Sequence, residues 1–170
     1  MAKMSKTKTK VKAKAVTKTK GQESYETGVN LENRVAKWLV SQFGYEVIKR
    51  DLVKGKISKR PYEVDIHGIK GQIFGLSKIH LWVECKAYKI KRTNLTKLIE
   101  SARDAKDAHD DGHEKWKAHM LMLVSSQGFD IDAIGLAKKY RIYCVHADKN
   151  FTFEGKMKRS DFEELEYSEY

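Results

Sequence analysis

Asp65, Glu84 and Lys86 are the residues of this chain whose types and spacing can do chemistry. Glu84 and Lys86 stand two apart directly after the apolar run Leu81–Trp82–Val83. On an extended strand both project from one face, roughly 7 Å apart. Asp65 lies in an earlier alternating segment, which places Tyr62, Val64 and Ile66 on one face and Glu63, Asp65 and His67 on the other. If the two strands are neighbours, two carboxylates and an ammonium meet at one spot. Charges this close to apolar runs are costly unless paired or ligated. Two close carboxylates repel unless a cation lies between them. Mg²⁺ suits that place, because it takes hard oxygen ligands and keeps several waters, and Mn²⁺ is expected to substitute. The lysine can then orient or help deprotonate an attacking water, or offset charge building on a phosphate. The competing account is a plain Glu84–Lys86 ion pair at a strand end, since a D…ExK match is short and common. Context favours the site: the match falls on consecutive strands, a helix carrying Glu32 precedes it, and the chain is basic.

Periodicity supplies the elements that must position these groups. Leu31, Val35, Trp38, Leu39 and Phe43 form one helical stripe, with Asn30 placed to cap it and Gly44 to stop it. Tyr45–Val53 reads as a strand with Tyr45, Val47, Lys49 and Asp51 on one face. The lysine-rich turn Lys54–Arg60 makes it a hairpin with Tyr62–Ile69. A loop marked by Gly71 and Gly75 leads to a third strand, Ile79–Ala87, with Ile79, Leu81, Val83 and Cys85 opposite Glu84 and Lys86. A second helix runs from Thr93 to near Gly112 and carries Leu95, Leu98, Ile99, Ala102 and Ala105. His119–Ser125 is continuous enough to be buried on both faces. A helix at about Asp130–Tyr140, a strand at Arg141–His146, a short strand at Phe151–Phe153 and an acidic end complete the chain. The order α-β-β-β-α-β-α-β predicts an α/β protein with a mixed central sheet and helices on both faces.

These segments resemble a known family, the PD-(D/E)XK nucleases, and within it the Mrr-like restriction endonuclease domains. The resemblance covers about Gly28 to Val145. It rests on "GVNLENRVAKWLVSQFGYEV", similar to the family's opening helix and its exit, then "YEVDIHG", then "LWVECKAYK". The later stretch "MLMLVSSQGFDIDAIGLAKKYRIYCV" looks like the family's strand–helix–strand ending. The proline-aspartate pair reads Val64–Asp65 here, and Ser125 and Ser126 stand where threonines are usual. The resemblance implies a restriction-endonuclease-like fold and Mg²⁺-dependent hydrolysis of DNA. It implies Asp65 and Glu84 as metal ligands with the backbone carbonyl of Cys85, Lys86 as the catalytic lysine, and Glu32 as a supporting acid. A Holliday-junction-resolving nuclease with the same acid–acid–lysine site is the nearest alternative. A non-catalytic DNA-binding module on the same fold is the other, although it has no need of paired acids facing phosphate.

Composition agrees with a nucleic-acid partner. The 170 residues carry a formal charge of +11, unevenly spread. Residues 1–20 hold eight of the 34 Lys and Arg and no acid, which leaves 26 basic against 23 acidic side chains in residues 21–170. We read residues 1–22 as a disordered polybasic arm and residues 23–170 as a single domain. Lysines that meet phosphates release counterions, so such an arm suits DNA. Lys89, Lys91, Arg92, Lys97 and Arg103 follow the active strand and form a candidate phosphate-tracking rim. His67 is a candidate for holding a water or phosphate at the site's edge, or else a structural hydrogen-bonding group. His109 and His113 read as a polar helix end, since Gly112 interrupts the helix between them. Cys85 and Cys144 sit in apolar runs and are expected as buried thiols of a cytoplasmic protein. The longest apolar runs are far short of the roughly 20 residues of a membrane span. A double-strand cut needs two active sites, so a homodimer is expected, and a partner subunit is an alternative source of sequence recognition.

Overall fold

Helix α1 (Lys20–Phe43) buries Leu31, Val35, Trp38, Leu39 and Phe43, the stripe read from the sequence. It begins well before that stripe, so Asn30 lies inside the helix and does not cap it. Once a packed segment has nucleated, each further residue adds a hydrogen bond at little cost, so a helix outruns its apolar face. Gly44 ends it at φ 68, with its N–H on the Val40 carbonyl at 3.1 Å and the Tyr45 N–H on Leu39 at 3.3 Å. This computed structural model describes residues 20–71 and 77–164. Residues 1–19 of the expected arm, most of the glycine-marked loop and the acidic end at residues 165–170 lie outside the described residues, while residues 20–22, read as part of the arm, open α1.

The sheet has six strands in the order β1 (Glu46–Val53), β2 (Tyr62–Gly71), β3 (Lys78–Lys86), β4 (Met120–Ser125), β5 (Tyr143–His146) and β6 (Thr152–Glu154). The β1–β2, β2–β3 and β5–β6 pairs are antiparallel, while β3–β4 and β4–β5 are parallel. The two parallel steps are crossed by α2 (Arg92–Asp110) and α3 (Ile131–Tyr140). Both steps run the same way across the sheet, so crossovers of one hand must put both helices on one face. They do: Leu95, Leu98 and Ala105 of α2 and Ala133 and Ala137 of α3 pack with Trp82, Leu123 and Cys144. The opposite face carries α1 and α4 (Arg159–Glu164), whose Phe162 joins Leu81, Val83, Cys85, Met122 and Val145. Trp82 therefore packs under α2 and α3, on the face away from α1. The mixed sheet with helices on both faces is the α/β architecture that the element order predicts.

Strict alternation holds along β3 and fails along β1 and β2. Val47 packs on the α1 side, yet Val53 lies in the cluster under α2. Lys49 reaches Asn33 of α1 at 2.7 Å, while Asp51 turns to His67, which stacks on Trp116 of the α2-side cluster. Arg50 stands between them with φ 55, a left-handed residue that resets the pleat. On β2 the same switch separates Tyr62 and Val64, on the α2 side, from Ile66 on the α1 side. Asp65 is the residue at the switch. The β2–β3 ladder runs only from Ile66↔Val83 to Gly71↔Lys78, so β2 leaves β3 just where Asp65 and Glu84 would face each other.

The lysine-rich hairpin turn is fastened to α2 chiefly at Asp104, with Lys56 also paired to Asp111 at the helix end at 2.8 Å. The Asp104 carboxylate accepts from the Ile57 N–H at 2.8 Å, the Ser58 N–H at 3.1 Å and the Tyr62 hydroxyl at 2.9 Å. A Cβ on Gly55 would come within 1.9 Å of an Asp104 oxygen, so the approach requires glycine.

Candidate active site

The opening between β2 and β3 gathers the three predicted residues. Asp65 Oδ2 accepts the Cys85 backbone N–H at 2.7 Å, filling the place of a ladder bond. Lys86 donates to Glu84 Oε1, and its Nζ stands 3.8 Å from Asp65 Oδ2. The side chains remain between about one-sixth and one-quarter exposed: 16% for Asp65, 24% for Glu84 and 25% for Lys86. That depth desolvates the groups while leaving them open to a ligand. The turn after β3 is held by β4's exit. Buried Ser125 donates to the Tyr88 carbonyl at 2.7 Å, the Ser126 N–H to Lys86 at 3.1 Å, and the Gln127 amide to Ala87 at 3.1 Å. The sequence reading gave Ser125 and Gln127 no positioning role, because nothing local marks their partners.

Charge follows from this packing. Burial, and then the Glu84 carboxylate, push the Asp65 carboxyl up to about 6, against the opposing pull of Lys86 and the Cys85 N–H. Burial acts to lower Lys86, but the charge and hydrogen bond of Glu84, with Asp65, outweigh it and raise the ammonium above its ordinary value. Lys86 is thus protonated at neutral pH. Cys85 is 9% exposed and packs on the α1 side; burial, and then Asp65 and Glu84, push its thiol far up, which leaves no thiolate nucleophile.

The remaining predicted residues divide. Glu32 is not joined to the three by a hydrogen bond; it holds Arg50, with Nε at 3.3 Å, and acts on Asp65 only through its charge. Arg50, missed by the sequence reading, ties α1 to the switch in β1. Lys89, Lys91, Arg92, Lys97 and Arg103 are all exposed, on the turn after β3 and on α2. His67 takes the structural one of its two readings. It is 2% exposed, bonded to Asp51 at 2.7 Å and to His80 at 2.8 Å, and stacked on Trp116. Both of its ring nitrogens are taken and its ring is covered, which keeps it from serving the site. His109 bonds to Asp110 at 3.2 Å at the end of α2, a polar helix end as read.

The donor chemistry can be tested against a divalent cation. Among the described residues no three His, Cys, Asp or Glu side chains gather closely enough to enclose an ion. Asp65 and Glu84, with the carbonyl of the residue between Glu84 and Lys86, are instead a hard and incomplete oxygen set. Mg²⁺ prefers that arrangement, because it keeps waters and needs one or two carboxylates. Burial and then the Glu84 charge raise Asp65, and a cation would relieve the second of these, so the residues fit. No helix among the described residues is long and apolar enough to cross a membrane. Comparison with protein-family models, with curated proteins and with solved structures finds no match.

Proposed function

We propose that this chain is a metal-dependent endodeoxyribonuclease of the PD-(D/E)XK type, Mrr-like, built on a restriction-endonuclease-like sheet. The observation that carries this reading is the meeting of Asp65, Glu84 and Lys86 where β2 leaves β3. The resemblance of the segments around them supports the family. Asp65, Glu84 and the Cys85 carbonyl would hold Mg²⁺ or Mn²⁺, which supplies Lewis acidity toward a phosphate oxygen and the attacking water. The chain's own contribution is positional. The Cys85 N–H fixes the Asp65 carboxylate, and Glu84 fixes the Lys86 ammonium beside both acids. Lys86 donates to the attacking oxygen or to the phosphate oxygen on which charge builds, a role its raised pKa suits. The exposed Lys89, Lys91, Arg92, Lys97 and Arg103 hold flanking phosphates and carry no sequence information themselves. A duplex cut on both strands requires two such sites, which two copies of the chain would supply.

Incubation with supercoiled, linear, single-stranded and branched DNA, with Mg²⁺ or Mn²⁺ and with chelator, tests the reading. Cleavage that needs the cation and no nucleotide is expected. Cutting undiminished in excess EDTA would overturn the mechanism. Binding without cutting of any substrate would select the non-catalytic module, and cutting confined to branched DNA the junction-resolving alternative.

A further inference from the structure

Away from the three site residues, α1 and the β5–β6 turn enclose a groove of about 430 Å³, open to solvent. Arg34, Lys37, Lys149 and Arg159 line it together with Trp38 and Phe151, and no carboxylate does among the described residues. Its charges are differently occupied. Arg159 pairs with Glu163 at 2.8 Å. Arg34 instead donates to two main-chain carbonyls, Ala147 at 3.3 Å and Asp148 at 2.7 Å, so its charge is held in place without being neutralised. Lys37 and Lys149 make no ion pair among the described residues. A concave surface with this balance attracts anions, and water-facing cations on fixed backbone suit phosphate.

The turn that presents Lys149 is rigidly built. The Asp148 carboxylate accepts the Asn150 N–H at 2.8 Å and the Thr152 hydroxyl at 2.7 Å. Phe151 takes φ 53, and its ring lies flat on Trp38 at 4.6 Å with the Arg34 guanidinium 5.4 Å away over the ring. A left-handed aromatic held this way is backbone strain kept by its packing, which is common where a loop must present a group. The groove also connects to the candidate site. Lys86 O accepts the Ser126 N–H, Ser125 O accepts the Ala147 N–H, and Ala147 O accepts Arg34. The groove therefore begins at the same carboxyl edge of the parallel strands and runs off along α1. Arg34 to Ser41 covers about 10 Å of helix axis. That is long enough to meet two successive phosphates of one strand, which matches the two lysines without an ion pair among the described residues.

We infer that this α1/β5–β6 groove binds the phosphodiester backbone of duplex DNA flanking the bond to be cut, as a second contact beyond the rim around α2. The inference rests on the nuclease reading for its polyanion. Binding of a fluorescent duplex measured in EDTA across a salt series separates it from chemistry. Replacing Lys37 and Lys149 together (Lys37→Gln, Lys149→Gln) should weaken binding roughly tenfold or more and lower the salt slope by about two, at about 0.9 per lost phosphate contact. The pair Lys138→Gln, Lys139→Gln on the exposed face of α3 removes equal charge elsewhere and should leave the slope at the parent's value. If the groove variant keeps the parent's affinity and slope, or the α3 variant loses as much, the groove is an ordinary solvated surface and the nuclease reading stands. If the parent itself binds no duplex, the nuclease reading falls and this inference with it.

Discussion

Glu84 and Lys86 are bonded to each other yet have opposite duties under the nuclease proposal, and that makes them separable. Glu84 would be a direct ligand, so Glu84→Ala should weaken Mg²⁺ binding and abolish cleavage together. Lys86→Ala removes a like charge beside the cation, so Mg²⁺ affinity should hold or rise while cleavage falls by roughly a hundredfold or more, the scale of one preorganised charge in a transition state. Calorimetric titration of Mg²⁺ into each variant, beside a cleavage assay, reads both effects. Loss of metal by Lys86→Ala, or cleavage at the parent rate, would return the pair to a structural ion pair. The paired positions were legible because a strand spaces i and i+2 on one face and β3 obeys that rule. Asp65 was found as a residue, but not its setting. Its bond to the Cys85 N–H depends on β2 leaving the ladder, which no local pattern announces.

Alternation failed at the element scale where a single backbone torsion overrode it. Arg50 at φ 55 resets the pleat of β1, and the ladder passes from Lys49↔Ile66 to Asp51↔Val64 and so shifts β2 at Asp65 opposite, with no glycine or proline to mark either place. The helices behaved better: α2 and α3 lie within a few residues of their apolar patterns, and Asp130 caps α3 by accepting the Ala133 N–H at 2.8 Å. The far end of α3 offers a clean test of left-handed cost. Arg141 follows the helix at φ 54, is exposed, and gives its N–H to the Ala137 carbonyl. An L side chain in this conformation costs about 1–2 kcal/mol. Glycine is free of that cost but loses more entropy on folding. Arg141→Gly should therefore raise unfolding stability by about 0.5–1 kcal/mol in a denaturant titration, with no change in its slope. A fall in stability would mean that the arginine side chain holds the turn by a contact of its own. The α1/β5–β6 groove stayed hidden for a related reason: Arg34, Lys149 and Arg159 are far apart in sequence and meet only through the fold.

For the whole molecule, the +11 charge sets how acid acts on it, and a stack of histidines decides where. His67 lies on Trp116 with ring centroids 3.7 Å apart, and His80 lies 5.5 Å from both Trp116 and His119. The bonds fix the protons. Asp51 accepts from His67 Nδ1, so neutral His67 presents a bare Nε2, which takes the proton of His80 Nδ1 at 2.8 Å. The His80 backbone N–H separately needs His119 Nδ1 bare, at 3.0 Å. Protonating His67 or His119 at these nitrogens sets donor against donor. Burial, followed by the charges of His67, His119 and Lys78, lowers His80 to about 4; burial also lowers His67, although Asp51 pulls the other way. A folded-state pKa below the unfolded value means that the unfolded chain binds the proton first. Stability is then complete above about pH 6.5 and falls as pH drops toward 4, before added positive charge strains the basic surface further. With screening at this partly open position allowed for, His80 should account for about 1–2 kcal/mol of that fall. Urea unfolding from pH 7.5 to 4.5 should show the decline in the parent, and His80→Gln should show a shallower one even if it is less stable at neutral pH. Equal slopes for the two proteins would mean that acid acts through the surface charge alone and that the stack stays neutral without penalty.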